Sequence, residues 1–192
     1  MAIDTGHALI ALKDFKQVRA LEDDKYNYLI EILIDAVSLY LESECGGRIF
    51  IQATYGTTYL DGTGERILEI PHYPIVSIAT VEEDDVELTE GNDEDFVIYG
   101  DEGEGYLEKM GSWAKGNKNI ELTDLKAGYL LASVPKDLKA ACMIMIEKEF
   151  QKFVNKAGAE EMRSFPDMSL TWNFDQDEFV KKTIKKYKRM GV

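Results

Sequence analysis

The side chains in this sequence that could carry nucleophilic or metal chemistry are two cysteines and two histidines. Cys45 stands in the phrase ESECGGRIF, where it could use a histidine that is distant in sequence as its base and form a small hydrolase. His72 lies between two prolines, which is typical of a turn, and His7 lies close to the first residue. A zinc site on Cys45 and Cys142 would need histidines as further ligands, and there are only these two. We therefore expect no catalytic residue, no metal and no cofactor, and keep the Cys45 hydrolase as an alternative.

The glycine-rich segments fit no known ion or phosphate loop. GSWAKGNK, residues 111–118, has Asn117 where a phosphate-binding loop needs lysine. DGTG at 61–64 and GDEGEG at 100–105 place acids near glycines, but they lack the ligand spacing and closing glutamate of a calcium loop. These segments predict turns rather than binding sites.

Acidic residues dominate the chain and are concentrated in one segment. The sequence has 36 acidic and 22 basic residues, a formal net charge of −14. Between Glu82 and Glu104 there are twelve acids and no base. Such a run is usually a set of solvated loops and strand edges protected against aggregation, with weak adventitious binding of divalent ions at most. A chain with this charge should repel nucleic acid and anionic membranes unless it segregates a basic face.

The C-terminal segment reverses this trend. Residues 176–192 contain six basic and two acidic residues, a local balance of +4. Trp172 precedes this segment, so a role in stacking on bases stays open for it, whereas the acidic surroundings of Trp113 argue against that role. An ordinary amphipathic helix packed on its own domain and an adhesive appendage both fit the segment.

Apolar spacing predicts helices at both ends of the chain. Residues 12–20 form a short helix, with Leu12, Phe15 and either Val18 or Arg19 on its apolar side. Residues 24–45 form a long helix with Asp23 or Asp24 as its N-cap. Its apolar stripe is unusually wide, as expected of a helix that packs on more than one partner. The stripe comprises Tyr26, Leu29, Ile30, Leu33, Ile34, Val37, Tyr40 and Leu41. A third helix starts at Pro135, placed at its first position, and a last helix covers the basic segment.

Between these helices the period changes to that of strands. Gly46 and Gly47 follow the long helix, and either can take the left-handed conformation that closes it. Residues 48–131 then alternate apolar and polar positions between glycine-rich or acidic separators. The turn at 61–64 predicts a hairpin, and YPIVSIATVEE predicts one strand. The fold class is thus α+β: the segments 1–47 and 132–192 form a helical bundle, and 48–131 is an inserted antiparallel β subdomain.

No segment suggests export or membrane insertion. The opening residues, MAIDTGHALIALKDF, lack a basic leader and meet Asp4 at once. The longest apolar run of the second half, Ala140–Ile146, is too short to cross a bilayer. We expect two reduced thiols that pack in the core, and no membrane partner.

Four phrases, in order, resemble the head–tail connector (adaptor) proteins of tailed bacteriophages. They are the helix end ESECGGRIF, the segment ILEIPHYPIVSIATV, the helix start AGYLLASVPKDLKAACMIMI, and the final SLTWNFDQDEFVKKTIKKYKRM. The first phrase has one more residue before Arg48 than the family pattern, and the acidic stretch 82–104 has no counterpart in it. Because many members are shorter and almost purely helical, the β insertion indicates a longer subgroup.

The resemblance implies a structural virion protein and no catalysis. Such a protein forms a ring, typically of twelve copies, below the portal at the neck of the virion. It would bind the portal protein and the next neck or tail protein, a stopper or tail terminator, after a period in the host cytoplasm during assembly. Viral DNA would pass through the channel without specific binding, in keeping with the acidity of the subunit.

The aromatic and basic C-terminal segment is the candidate portal-docking surface. Aromatic side chains supply buried anchors, and lysines steer onto an acidic partner. The candidate docking residues are Trp172, Phe174, Phe179, Lys181, Lys182, Lys185, Lys186 and Tyr187. Gly46 and Gly47 are the candidate hinge, and Arg48 should pair with a carboxylate or cap the preceding helix.

A second hypothesis comes from the twelve-acid run. An acidic binding module could mimic DNA and sequester a basic host protein. Replacement of six of these acids by Asn or Gln would separate the two readings, because only a mimic would lose its activity while its assembly persisted.

Overall fold

The computed structural model describes residues 6–100, 105–156 and 177–188. It divides into two compact units, Met1–Gly47 with Ser133–Val192, and Arg48–Ala132. The first is called the helical unit and the second the β unit. The α+β class is confirmed.

The described part of the helical unit contains four α-helices. They are α1 (Leu12–Val18), α2 (Asn27–Glu44), α3 (Lys136–Lys156) and α4 (Glu178–Tyr187). Helix α3 packs against α2 and α4, and α1 packs against α2. The Phe150 ring on α3 receives Phe15 and Tyr26 in edge-to-face contacts with centroids 5.6 and 5.4 Å apart. Cys45 and Cys142 are buried in this unit, which confirms their predicted place in the core.

The long helix begins later than predicted. Its N-cap is Tyr26, with no side-chain cap, and neither Asp23 nor Asp24 serves. The Asp24 carboxylate instead accepts hydrogen bonds from Lys16 and Asn27, both at 2.8 Å. Helix α1 also ends two residues early, because Ala20 has a φ of +50° that no helix continues through.

The described part of the β unit forms three antiparallel sheets. Its strands are β1 (Ala53–Tyr55), β2 (Thr58–Gly62), β3 (Ile67–Glu69), β4 (Ile75–Ser77), β5 (Thr80–Glu83), β6 (Val86–Leu88), β7 (Phe96–Tyr99), β8 (Tyr106–Lys109), β9 (Gly116–Thr123) and β10 (Leu125–Ala127). The sheet orders are β1-β10-β4, β2-β9-β5-β6 and β3-β8-β7. One core, which includes the buried Trp113, joins residues from all three sheets.

Two predicted strand connections are wrong. The turn at 61–64 does not make a hairpin, because β2 pairs with β9 while β3 pairs with β8. At the end of β2, Gly62 lies close to the segment that precedes β9. A Cβ added at Gly62 would come within 1.8 Å of the Ala114 carbonyl oxygen. The Gly62 amide also donates to the Asn119 side chain at 2.8 Å. YPIVSIATVEE likewise contains two strands, β4 and β5, in different sheets.

A partly buried ion pair connects two of the sheets. Glu83 on β5 pairs with Lys109 on β8, and its other oxygen accepts a hydrogen bond from the Ala114 amide at 2.7 Å. The ammonium of Lys109 also lies 5.4 Å from the ring centroid of Trp113. One acid of the run 82–104 is therefore structural.

Candidate functional site: the C-terminal helix and the helix end at Gly46

The residues that could have formed a catalytic or metal site have structural partners. His7 Nδ1 lies 2.8 Å from the Glu42 carboxylate, and the His72 ring stacks on Tyr55 at 3.6 Å. The buried Cys45 thiol lies 3.9 Å from the Ile184 carbonyl oxygen, so it is shielded from a substrate. Burial raises the pKa of the Cys142 thiol to about 12, so it stays protonated. Within the described ranges, no three His, Cys, Asp or Glu side chains are grouped to hold a metal, and no helix is long and apolar enough to cross a membrane.

The Schellman motif at the end of α2 is built by its two glycines. Gly46 and Gly47 have φ values of +86° and +77°. The Gly47 amide donates to the Glu42 carbonyl at 2.9 Å, and the Gly46 amide donates to the Ser43 carbonyl at 3.0 Å. This pair of bonds satisfies carbonyls that the last helical turn leaves free. The helix therefore ends here for a backbone reason, and the predicted hinge role of the glycines remains a prediction.

Arg48, the next residue, packs among aromatic rings of the β unit, and its predicted pairing with a carboxylate or a helix end stays a prediction. Its guanidinium is buried in the β unit and donates to the Tyr73 carbonyl at 3.0 Å. It also lies 3.5 Å from the ring centroid of Tyr73 and within 6 Å of those of Phe50 and Tyr129. A buried arginine surrounded by aromatic faces is a structural cation–π centre.

Helix α4 separates an apolar underside from a basic outer face. Asp177 caps its start by accepting from the Phe179 amide at 2.9 Å. The buried positions recur at the helical spacing: Val180, Thr183, Ile184 and Tyr187. The exposed positions on the remaining surface are one acid, Glu178, and then Phe179, Lys181, Lys182, Lys185, Lys186 and Lys188. Phe179 is 41% exposed, so an aromatic ring stands among the lysines.

The far end of α4 is held to the first turn of α3 by one carboxylate. Asp137 accepts from the Tyr187 hydroxyl at 2.7 Å and from the Lys186 ammonium at 2.5 Å. Partial burial acts to raise the pKa of Asp137, but these two hydrogen bonds, the charge of Lys186 and the Leu138 amide together lower the pKa below its usual value. Burial, with the bond to Asp137, raises the pKa of Tyr187 to about 12. Hydrogen bonds to Asp137 and Tyr187 raise the pKa of Lys186.

The structure thus divides the candidate docking residues into three groups. Phe179, Lys181, Lys182 and Lys185 are exposed on α4. Tyr187 is only 5% exposed and, with Lys186, contacts Asp137 of its own unit, so Tyr187 anchors the helix instead of facing a partner. Trp172 and Phe174 lie outside the described residues. Sequence reasoning missed Asp137 as the anchor. An acid in the first turn of a helix is already explained by its favourable interaction with the helix dipole, so nothing in the sequence pointed to a second role.

Sequence reasoning also missed a row of glutamates across the four-stranded sheet. The strand register places Glu82 opposite both Glu121 on β9 and Glu87 on β6, and Tyr59 on β2 opposite Glu121. Three like charges are thus direct cross-strand neighbours, which destabilises a sheet. The acidic stretch 82–104 indicated that this sheet face would carry Glu82 and Glu87. That Glu121 joins them could be known only from the pairing of β5 with β9.

Comparison with known proteins gives the family and the fold of the chain. The chain belongs to the head completion protein family, whose model matches residues 8–190, and this family match identifies it as a structural virion protein. It is accordingly a structural head–tail connector protein of the virion neck. No curated protein matches significantly.

The fold is also found in solved particles. A chain in the neck of a native gene transfer agent particle, computed with C12 symmetry, is 13% identical with a TM-score of 0.57, and the match covers 100% of this chain and 94% of that one. A chain in the neck of an empty particle, computed with C6 symmetry, is 13% identical with a TM-score of 0.60 and coverages of 100% and 95%. A chain in the virion of the native particle is 12% identical with a TM-score of 0.59 and coverages of 100% and 94%.

Proposed function

We propose that this chain forms a ring below the portal, joins the capsid to the tail and extends the DNA channel. The observation that carries the proposal is the outer face of α4. Its underside is buried and its end is anchored on Asp137, so the lysines and Phe179 are presented on a fixed helix. A preformed surface of this kind loses little conformational entropy when a partner binds.

The partner of this face is an acidic surface of the portal protein. Phe179 supplies an aromatic anchor, and Lys181, Lys182 and Lys185 supply the charge that orients the encounter. Trp172 and Phe174 belong to the same proposed contact. The opposite side of the ring would receive a stopper or tail terminator protein. Twelve copies is the proposed number, and C12 symmetry in the neck of the gene transfer agent particle supports it.

The acidity of the subunit suits a channel that DNA must leave freely. Phosphate binding depends on Lys and Arg, and a ring multiplies the net charge of −14 on each copy. The row formed by Glu82, Glu121 and Glu87 adds a locally acidic sheet face. This row is also what the alternative, a DNA mimic that sequesters a basic host protein, would require.

The portal contact is tested with the triple variant Lys181→Gln, Lys182→Gln and Lys185→Gln. Exposed ion pairs contribute about 0.5 kcal/mol each, so loss of three should weaken binding about tenfold. The measurement is co-migration with the cognate portal ring at several salt concentrations, and the variant should show a shallower salt dependence.

A matched control removes the same charge from the β unit, through Lys115→Gln, Lys118→Gln and Lys126→Gln, which are all exposed. This control should bind the portal as the wild type does. Equal weakening by both variants would mean that net charge acts and not the α4 surface. Failure of the wild-type protein to join the portal ring would refute the proposed function.

A further inference from the structure

Asp137 uses its two carboxylate oxygens for different partners. Oδ1 accepts hydrogen bonds from the Tyr187 hydroxyl at 2.7 Å and from the Leu138 amide at 2.9 Å. Oδ2 accepts from the Lys186 ammonium at 2.5 Å. The anchor that holds the end of α4 on α3 therefore depends on Oδ1, and the contact with Lys186 is separate from it.

The Lys186 side chain is exposed to solvent although its ammonium is paired. It is 62% exposed, compared with 30% for the Asp137 side chain. The ammonium also lies 3.3 Å from the Tyr187 hydroxyl oxygen. An exposed ion pair changes an equilibrium by only about twofold, because water and salt screen it. A second carboxylate that approached Lys186 could therefore replace Asp137 at small cost.

Lys186 belongs by its position to the docking surface of α4. Residues at i, i+3 and i+7 lie along one side of a helix, and Phe179, Lys182 and Lys186 have this spacing. All three are exposed. A partner that covers Phe179 and Lys182 thus also reaches Lys186. The acidic portal surface proposed above would bring its carboxylates to the ammonium that Asp137 holds.

Asp137 can release Lys186 without becoming an unpaired charge. Its Oδ1 keeps the hydrogen bonds from Tyr187 and Leu138. It also lies in the first turn of α3, where the helix dipole stabilises a negative charge. Release of Lys186 therefore leaves the carboxylate ionised and the Tyr187 anchor in place.

We infer that Asp137 is an internal competitor for the docking surface, and that portal binding transfers Lys186 from Asp137 to a carboxylate of the portal protein. This inference rests on the proposed function and adds a basic contact to Lys181, Lys182 and Lys185. Only a partner with a carboxylate opposite Lys186 gains this contact, whereas other acidic surfaces leave Lys186 on Asp137. The exchange thereby favours one acidic partner over others.

The direct test is zero-length cross-linking with a carbodiimide, which joins a lysine to a carboxylate in contact with it. Mass spectrometry of the free protein should show a link between Lys186 and Asp137. In the complex with the portal ring this link should decrease, and links from Lys186 to portal carboxylates should appear. The link between Lys16 and Asp24, a surface pair of the same unit at 2.8 Å, is the control and should not change.

A double-mutant cycle gives a second measurement. Asp137→Asn keeps an acceptor for Tyr187 and removes the charge that holds Lys186, so portal binding should tighten about twofold. Lys186→Gln should cancel this gain in the Asp137→Asn background and change binding little in the wild type. The matched control, Asp24→Asn, removes the same charge and releases Lys16 instead, so it should leave portal binding close to that of the wild type.

Two results would overturn the exchange. One is a link between Lys186 and Asp137 that is as abundant in the complex as in the free protein, without any link from Lys186 to the portal. The other is weaker or unchanged portal binding by Asp137→Asn, the result expected if Asp137 only fixes α4. In both cases links from Lys182 or Lys185 to the portal would leave the proposed function intact. Failure of the wild-type protein to join the portal ring would refute the proposed function instead.

Discussion

At the scale of single residues, Asp137 decides how α4 is held. Its carboxylate receives Tyr187 and Lys186 from the end of α4 and the Leu138 amide from its own helix. By sequence, Asp137 is an ordinary acid in the first turn of a helix, but in the structure it connects α3 to the end of α4. The same contact turns Tyr187 inward and leaves the other lysines of α4 exposed.

The substitution Asp137→Asn should lower the free energy of unfolding by about 1 kcal/mol at neutral pH, the scale of a partly exposed hydrogen-bonded pair. Because the folded protein lowers the pKa of Asp137, the carboxylate stabilises the fold above its unfolded pKa of about 3.9. That contribution disappears as the pH falls through the folded pKa. The difference between wild type and variant in urea unfolding should therefore shrink below about pH 4.

Asp23→Asn is the control, because Asp23 is exposed and at the surface of the same unit. It should leave unfolding unchanged across this range. A difference between wild type and Asp137→Asn that stayed constant from pH 7 to pH 3 would contradict the role assigned to the ionised carboxylate.

At the scale of elements, the end of α2 shows why two glycines occur together. Each has a positive φ, and neither has another atom within 4 Å of where a Cβ would stand. Space therefore permits a side chain at both positions, and only the backbone conformation opposes it. The requirement comes from the Schellman motif and not from packing.

Gly46→Ala should destabilise the helical unit by about 1 kcal/mol, the cost of a left-handed conformation for a residue with a Cβ. Gly111→Ala is matched, since Gly111 also has open space around it but does not have a positive φ. Thermal unfolding followed by circular dichroism would compare the two variants. Equal melting temperatures would show that the helix end tolerates the strain and that the glycines have another purpose.

At the scale of the whole molecule, acidic and basic residues are concentrated in different segments of the chain: the acids in one segment of the β unit, and the bases in the segment that contains α4. Residues 82–104 carry twelve acids, and residues 176–192 have a balance of +4. A connector needs an adhesive surface for its protein partners and a surface that releases DNA. On the proposed function, the basic helix would be the adhesive surface and the acidic segment would help to release DNA.

Six acids can be neutralised without touching the structural Glu83 or the Asp95 carboxylate, which accepts from the Thr89 amide. The variant changes Glu82, Glu87, Glu90 and Glu94 to Gln and Asp85 and Asp93 to Asn. We expect portal binding to persist, because the α4 face is unchanged, and duplex DNA to be retained more strongly by the assembled ring in a salt-dependent binding assay.

The same variant separates the connector from the DNA mimic. A mimic would lose its capture of a basic protein while its assembly stayed intact. Loss of portal binding in this variant would contradict the assignment of docking to α4. The variant leaves every lysine unchanged, so any effect on binding comes from the loss of the acidic residues.

The sequence by itself determined the helices, the α+β class and the family. Helical period and a glycine pair depend on residues within a few positions of one another, so α2, α3 and the amphipathic α4 could be recognised locally, although the start of α2 could not. The ordered phrases around Cys45, Pro71, Pro135 and Trp172 carried the resemblance to connector proteins. The exposed lysines of α4 followed from the same periodicity.

Only the tertiary structure decided which strands pair, where Arg48 goes and which way Tyr187 points. The segment at 61–64 has the residues of a hairpin, yet β2 pairs with β9, and the Gly62 amide donates to the Asn119 side chain there. Glu121 joins Glu82 through register alone. In each case the partners are far apart in sequence, and the contact energy depends on groups that the chain brings together only when it has folded.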